Sequence, residues 1–105
     1  MSLAEMGDNH VVAVADDDWR LQGQERYLTG RTLRWAVWWS YQEGWDHDHC
    51  EFCWAEISDR PIDDHTEYNA MWVTADDDYH WICPNCFSDF RTRFGWSVVG
   101  DEPTP

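Results

Sequence analysis

The chain has 105 residues and a formal charge of −14, with 21 acidic side chains set against seven arginines and no lysine. A polyanion forfeits the counterion-release term that drives nucleic-acid binding, so neither nucleic acid nor an anionic membrane is the expected partner, and a basic protein is the natural complement. One domain is expected at this length, with a core that needs a staple.

Residues 1–15 read as a disordered N-terminal segment, polar and irregular from Met1 to His10. The chain opens with no basic n-region and the apolar run Val11 to Ala15 is too short for a signal peptide, which argues against an oxidising compartment. A single domain is then expected over 16–97, followed by a disordered tail over 98–105. Asp16, Asp17 and Asp18 ahead of Trp19, Leu21 and Leu28 predict a short helix whose acidic start complements the helix dipole and which stops near Gly30. Gly23 is its weak point. From Thr32 to Tyr41 the pattern alternates, with Leu33, Trp35, Val37, Trp39 and Tyr41 on one face and Thr32, Arg34, Ala36, Trp38 and Ser40 on the other. A half-buried strand is predicted, and Trp38, on its polar face, is the candidate partner contact.

Gln42 to His49 turns the chain towards Cys50, and Ser58 to Asn69 reads as a polar, acidic loop. Ala70–Thr74 and Tyr79–Ile82 predict a hairpin closed through Asp76, Asp77 and Asp78. A helix follows, with Pro84 in its first turn, Phe87, Phe90 and Phe94 on one face, Arg91 and Arg93 late, and Gly95 at its stop.

All four cysteines fall in two matched pairs, Cys50-Glu-Phe-Cys53 and Cys83-Pro-Asn-Cys86. Two such pairs bring four soft thiolates to one point, which suits a closed, tetrahedral, structural zinc site with one ion per chain. Three other readings compete. Two disulfides need an oxidising compartment, a redox dithiol is expected as one C-x-x-C near a βαβ pattern, and inert buried thiols leave the matched spacing unexplained. His47 and His49 read as loop residues or as supports behind the ligands, with neighbouring aspartates able to fix ring orientation or hold a knuckle turn. The acidic triples at Asp16 and Asp76 lack the glycine and terminal glutamate of a calcium loop and read as turns or caps.

The order of knuckle, hairpin and helix carrying the last two ligands resembles the treble-clef zinc finger over Cys50 to Phe94. That resemblance implies Cys50, Cys53, Cys83 and Cys86 as the ligands, with backbone N–H groups near the helix start easing the thiolate charge. Trp45-Asp-His-Asp-His-Cys-Glu-Phe-Cys-Trp54 and Trp81-Ile-Cys-Pro-Asn-Cys-Phe-Ser-Asp-Phe90 also resemble a recurrent group of small bacterial proteins of uncharacterised function. The likeness reaches back to Trp19-Arg-Leu-Gln-Gly-Gln-Glu25 and implies a bacterial, cytoplasmic setting.

Two enzyme readings can be set against these residues. A His-metal nuclease places its catalytic histidine between knuckle and helix, where only His65 and His80 lie, and the closing helix has no second histidine or asparagine for a metal. A zinc deaminase could use His49-Cys-Glu51 with Cys83 and Cys86, but Ile82 stands where that pattern has proline, and Cys50 and Cys53 are left without work. The expected fold class is therefore α+β, a small treble-clef-like zinc module with a hairpin, a closing helix and an added aromatic-rich strand. The expected function is an acidic protein-interaction module, an inhibitor or immunity-type partner of a basic protein. A deaminase-type hydrolase and a structural zinc subunit of a larger assembly are the alternatives.

Overall fold

A computed structural model describes residues 17–40 and 42–100 of the chain. The expected disordered segment 1–15, together with Asp16, Tyr41 and residues 101–105, lies outside the described residues. The predicted N-terminal helix is reduced to one turn, α1 (Glu25–Leu28). Two local features shorten it. Gly23 takes a left-handed φ of 90°, and the Asp18 carboxylate accepts from both the backbone N–H and the Nε of Arg20 at 2.9 Å rather than capping a helix.

The β-branched and aromatic residues after Gly30 favour extended chain, and β1 (Thr32–Val37) forms there. It ends before the expected Tyr41 because the Ser40 hydroxyl donates to the carbonyls of Gln42 and Trp45, at 3.1 and 2.7 Å, and draws the chain into a turn. Three short strands follow: β2 (Asp48–His49), β3 (Glu56–Ile57) and β4 (Thr66–Tyr68), the last lying inside the stretch expected to be only loop. They make one sheet in the order β2-β3-β4.

The predicted hairpin is present as β5 (Ala70–Thr74) and β6 (Trp81–Ile82), paired antiparallel with Trp72 opposite Ile82. Helix α2 (Pro84–Phe94) leads into β7 (Ser97–Val98). The second sheet runs β6-β5-β1-β7. β1 pairs antiparallel with β5, Trp35 facing Trp72, and parallel with β7. The boundary expected at 97 falls within this last strand, and the Val99 N–H continues the pairing to the Leu33 carbonyl at 2.9 Å.

The core is aromatic. Phe87, Phe90 and Phe94, on the predicted face of α2, are all buried, and Gly95 ends the helix in the left-handed conformation at φ 67°. Phe87 stacks on Trp72 at 4.2 Å, and Phe52, from the loop between Cys50 and Cys53, stacks on Phe90 at 4.6 Å. Helix and sheets thus share one core in an α+β domain. Among the described residues no helix is long and apolar enough to cross a membrane.

The alternation expected along β1 holds only in part. Leu33 is buried, but Val37 on the same face is 63% exposed, while Ala36 and Trp38 of the other face are buried, Trp38 to 2%. Trp38 is therefore a core residue and not a surface contact. Its backbone N–H donates to the Asn69 carbonyl at 2.9 Å, and its indole N–H donates to Asp48 Oδ2 at 2.8 Å. Trp45 donates to the same oxygen at 3.0 Å, so the chain from 45 to 48 folds back over the face that looked solvent-facing.

Candidate metal centre

Cys50 follows β2 directly, and its backbone N–H donates to the Ala55 carbonyl at 2.9 Å, closing a tight loop that also contains Cys53. Trp54 completes that loop at a φ of 69°, a left-handed position that side chains larger than glycine adopt with strain. The loop is tied to the second pair by the Glu51 N–H, which donates to the Trp81 carbonyl at 2.8 Å, and by the bridge between Cys50 and Trp81. Cys83 is the N-cap of α2, at φ −69° and ψ 160°, and Pro84 fixes the first helical position with no N–H to lose. One helical turn then brings Cys86 back beside Cys83.

The four predicted ligands therefore meet. The sulfurs of Cys50, Cys53, Cys83 and Cys86 lie within 4.8 Å of one another, and Cys53 Sγ is 3.6 Å from Cys83 Sγ. Three cysteines are buried and Cys53 is half-buried. This arrangement is able to hold one metal ion. Backbone N–H groups already face the sulfurs: Phe52 and Cys83 donate to Cys50 Sγ at 3.4 and 3.3 Å, and Cys86 donates to Cys83 Sγ at 3.4 Å. Hydrogen bonds from Cys83 and Cys86 hold the Cys50 thiol far below its ordinary range, at about 2. Cys83 is pushed up to about 12 and Cys86 is also pushed up, because each donates to a neighbour that is already charged. Four negative charges share this volume only when a cation accompanies them.

Arg20 is a contributor that sequence reasoning missed. Its Nη1 reaches Cys86 Sγ at 3.6 Å and Asp89 Oδ2 at 2.8 Å, its Nη2 pairs with Asp18 at 2.8 Å, and the guanidinium lies 4.5 Å from the Phe90 ring centre. Nothing local in Trp19-Arg-Leu gives its distance from Cys86, 66 residues away in the chain. Gln24 is a second such residue: buried, it donates to the carbonyls of Arg20 and Glu51 at 2.8 and 3.0 Å and so ties the N-terminal loop to the knuckle.

His47 and His49 are brought to each other, with ring centres 4.9 Å apart, and to Glu56 rather than to sulfur. Among the described residues neither imidazole bonds to a cysteine. The deaminase pattern needs His49 to join Cys83 and Cys86, and it does not: Cys50 and Cys53 complete that cluster. Glu51, its would-be acid, instead accepts from His80 Nδ1 at 2.8 Å and from the Tyr27 hydroxyl at 3.2 Å. The Asp76–Asp78 triple is a turn clamped by arginine, Arg31 pairing with Asp76 and Asp77 at 2.5 and 3.2 Å and Arg34 with Asp78 at 2.5 Å.

A shallow cavity of about 300 Å³ opens beside the knuckle, lined by Gln22, Gln24, Tyr27, Asp48, His49, Cys50, Glu51 and Trp54. Trp54 is 61% exposed at its edge, and Tyr27 and Tyr79 are exposed nearby, both ring-packed on His80. Compared with protein-family models, curated proteins and solved structures, the chain finds no match.

Proposed function

We propose that the protein is a zinc-stabilised, acidic interaction module of the treble-clef kind, an inhibitor or immunity-type partner that docks a basic protein. Zinc is favoured by the donor set, since four thiolates in a tetrahedron suit it and leave no position open for catalysis. Zn–S bonds of about 2.3 Å require sulfurs about 3.8 Å apart in a regular tetrahedron, close to the 3.6 Å between Cys53 and Cys83. The treble-clef reading is supported by the order of knuckle, β5–β6 hairpin and a helix whose N-cap and first turn carry the second pair. A reducing, cytoplasmic setting suits four free thiols.

The observation that carries the docking proposal is the cavity beside the knuckle. There the Glu51 carboxylate is held in place by His80 and Tyr27, while Tyr27 and Trp54 add aromatic surface to the same cavity. A carboxylate in a cavity that also holds aromatic rings fits the ammonium or guanidinium of an inserted lysine or arginine, through charge and cation–π attraction together. The net charge of −14 steers such a partner in from a distance.

The test is affinity capture on the zinc-loaded protein, followed by binding kinetics with the partner recovered. A basic partner is expected, with association slowed by salt, and with Glu51→Gln and Trp54→Ala speeding dissociation while zinc content stays unchanged. An acidic or neutral partner whose association ignores salt would refute the docking proposal and favour a structural subunit.

A further inference from the structure

We propose a second metal site, formed by His47, His49 and Glu56, that takes a divalent ion of the zinc class. Its origin is strand geometry. Side chains two apart point to the same face of an extended chain, so His47 and His49 share a face at the start of β2, and His49 stands directly opposite Glu56 in the β2–β3 pairing. One ligand atom from each of the three lies within 4.8 Å of the others. A tetrahedral ion with bonds of about 2.1 Å needs donors about 3.4 Å apart, so side-chain rotation has at most about 1.4 Å to close between any two of these atoms.

The surroundings hold two of the three donors as ligands are held. His47 Nδ1 bonds Asp46 Oδ1 at 2.6 Å, which fixes the ring and leaves Nε2 as its ligating nitrogen. Glu56 accepts from the Thr66 hydroxyl on Oε2 at 2.7 Å, leaving Oε1 turned towards His49 Nε2 at 3.8 Å. That separation is too long for a hydrogen bond. Glu56 is only 7% exposed, the Asp63 carboxyl adjoins it, and among the described residues no arginine pairs with it. A buried carboxylate beside a second acid and two imidazoles is an environment that a dication completes.

The site differs in kind from the cysteine cluster. Two imidazoles and one carboxylate form a three-ligand set, and because both imidazole side chains are 37% exposed, the fourth position opens to solvent. It adjoins the docking cavity through His49, yet it stands or falls independently of any partner.

The experiment uses the full chain with zinc already in the cysteine cluster. Cobalt(II) is added as the probe and followed by its visible absorption, and bound zinc is counted after equilibration at micromolar free zinc. The expected result is a second equivalent, two zinc ions per chain, with a cobalt spectrum free of sulfur charge-transfer bands. His47→Ala and His49→Ala should each return the count to one, Glu56→Gln should weaken the second equivalent alone, and Asp46→Asn should weaken it by about 10- to 100-fold. If Glu56→Gln does not fold, the exposed His47→Ala and Asp46→Asn variants decide the matter, with circular dichroism confirming their fold. One zinc per chain in the wild type, or a second equivalent indifferent to His47→Ala and Asp46→Asn, overturns the proposal.

Discussion

Replacing Trp38 should destabilise the fold rather than weaken its binding. The indole is 2% exposed and its N–H donates to Asp48 Oδ2 at 2.8 Å, an oxygen that also receives the Trp45 indole. Truncating a buried tryptophan to alanine costs about 3–5 kcal/mol, against a total stability of about 5–15 kcal/mol for a domain. Trp38→Phe keeps most of the ring and removes the donor to a charged acceptor, a loss of about 1.5–3 kcal/mol. The assay is urea unfolding in excess zinc, followed by far-ultraviolet circular dichroism. With a slope of about 2 kcal/mol/M, Trp38→Ala should lower the midpoint by about 1.5–2.5 M, and Trp38→Phe by about half as much. A double-mutant cycle with Asp48→Asn should show coupling, since the two groups share one bond. A Trp38→Ala midpoint within about 0.5 M of the wild type would refute the reasoning, because it would mean that the indole is not packed.

On the proposed zinc reading, chelation should unfold the domain outright, since structural zinc contributes about 10–16 kcal/mol at neutral pH, and Cys50→Ser or Cys53→Ser should have the same effect by circular dichroism. Arg20→Ala should leave one zinc bound but speed its loss to a chromogenic chelator by about 10- to 100-fold, because Arg20 supports Cys86 and not the ion itself. The Tyr27 phenol is pushed up to about 12, by burial first and by the Glu51 charge second. The folded state therefore keeps a proton that the unfolded chain loses near 10, so stability is whole below pH 10 and falls as pH rises through 12. Ultraviolet titration of tyrosinate checks this, and Glu51→Gln should move the step only part of the way back, because burial remains.

Helix α2 was legible because every signal for it is local: Pro84 at its start, Phe87, Phe90 and Phe94 on one face, Gly95 at its stop. The cysteine pairs were legible for the same reason, the spacing of one being a property of a short loop and of the other a single helical turn. What could not be read was whatever depends on a distant segment arriving. Trp38 sits on the polar face of β1 by parity, and only the return of residues 45 to 48 makes that face interior. The three aspartates before Trp19 carry a helix-start pattern, but Asp18 gains more from Arg20 than from a helix dipole, and Gly23 removes the continuity a longer helix needs. Glu56 escaped notice because its two-residue strand shows no period, and its relation to His49 exists only across β2 and β3.

The position of β1 bears on how the chain is made. Its neighbours in the sheet, β5 and β7, are both synthesised after it, and the last contacts span most of the domain: the Trp96 indole donates to the Leu28 carbonyl at 2.8 Å, and the Gly30 N–H to the Phe94 carbonyl at 2.7 Å. At about 5–20 residues per second, a ribosome takes about 3–12 s to travel from the end of β1 to β7. For that interval β1 keeps one edge open, the kind of segment that pairs with copies of itself on neighbouring nascent chains. Cys86 emerges ahead of β7, so an ion held by the proposed cysteine site would fasten the knuckle to the helix while one edge of β1 is still unpaired. The like charges of this acidic chain oppose such pairing between chains until Ser97 and Val98 cover that edge.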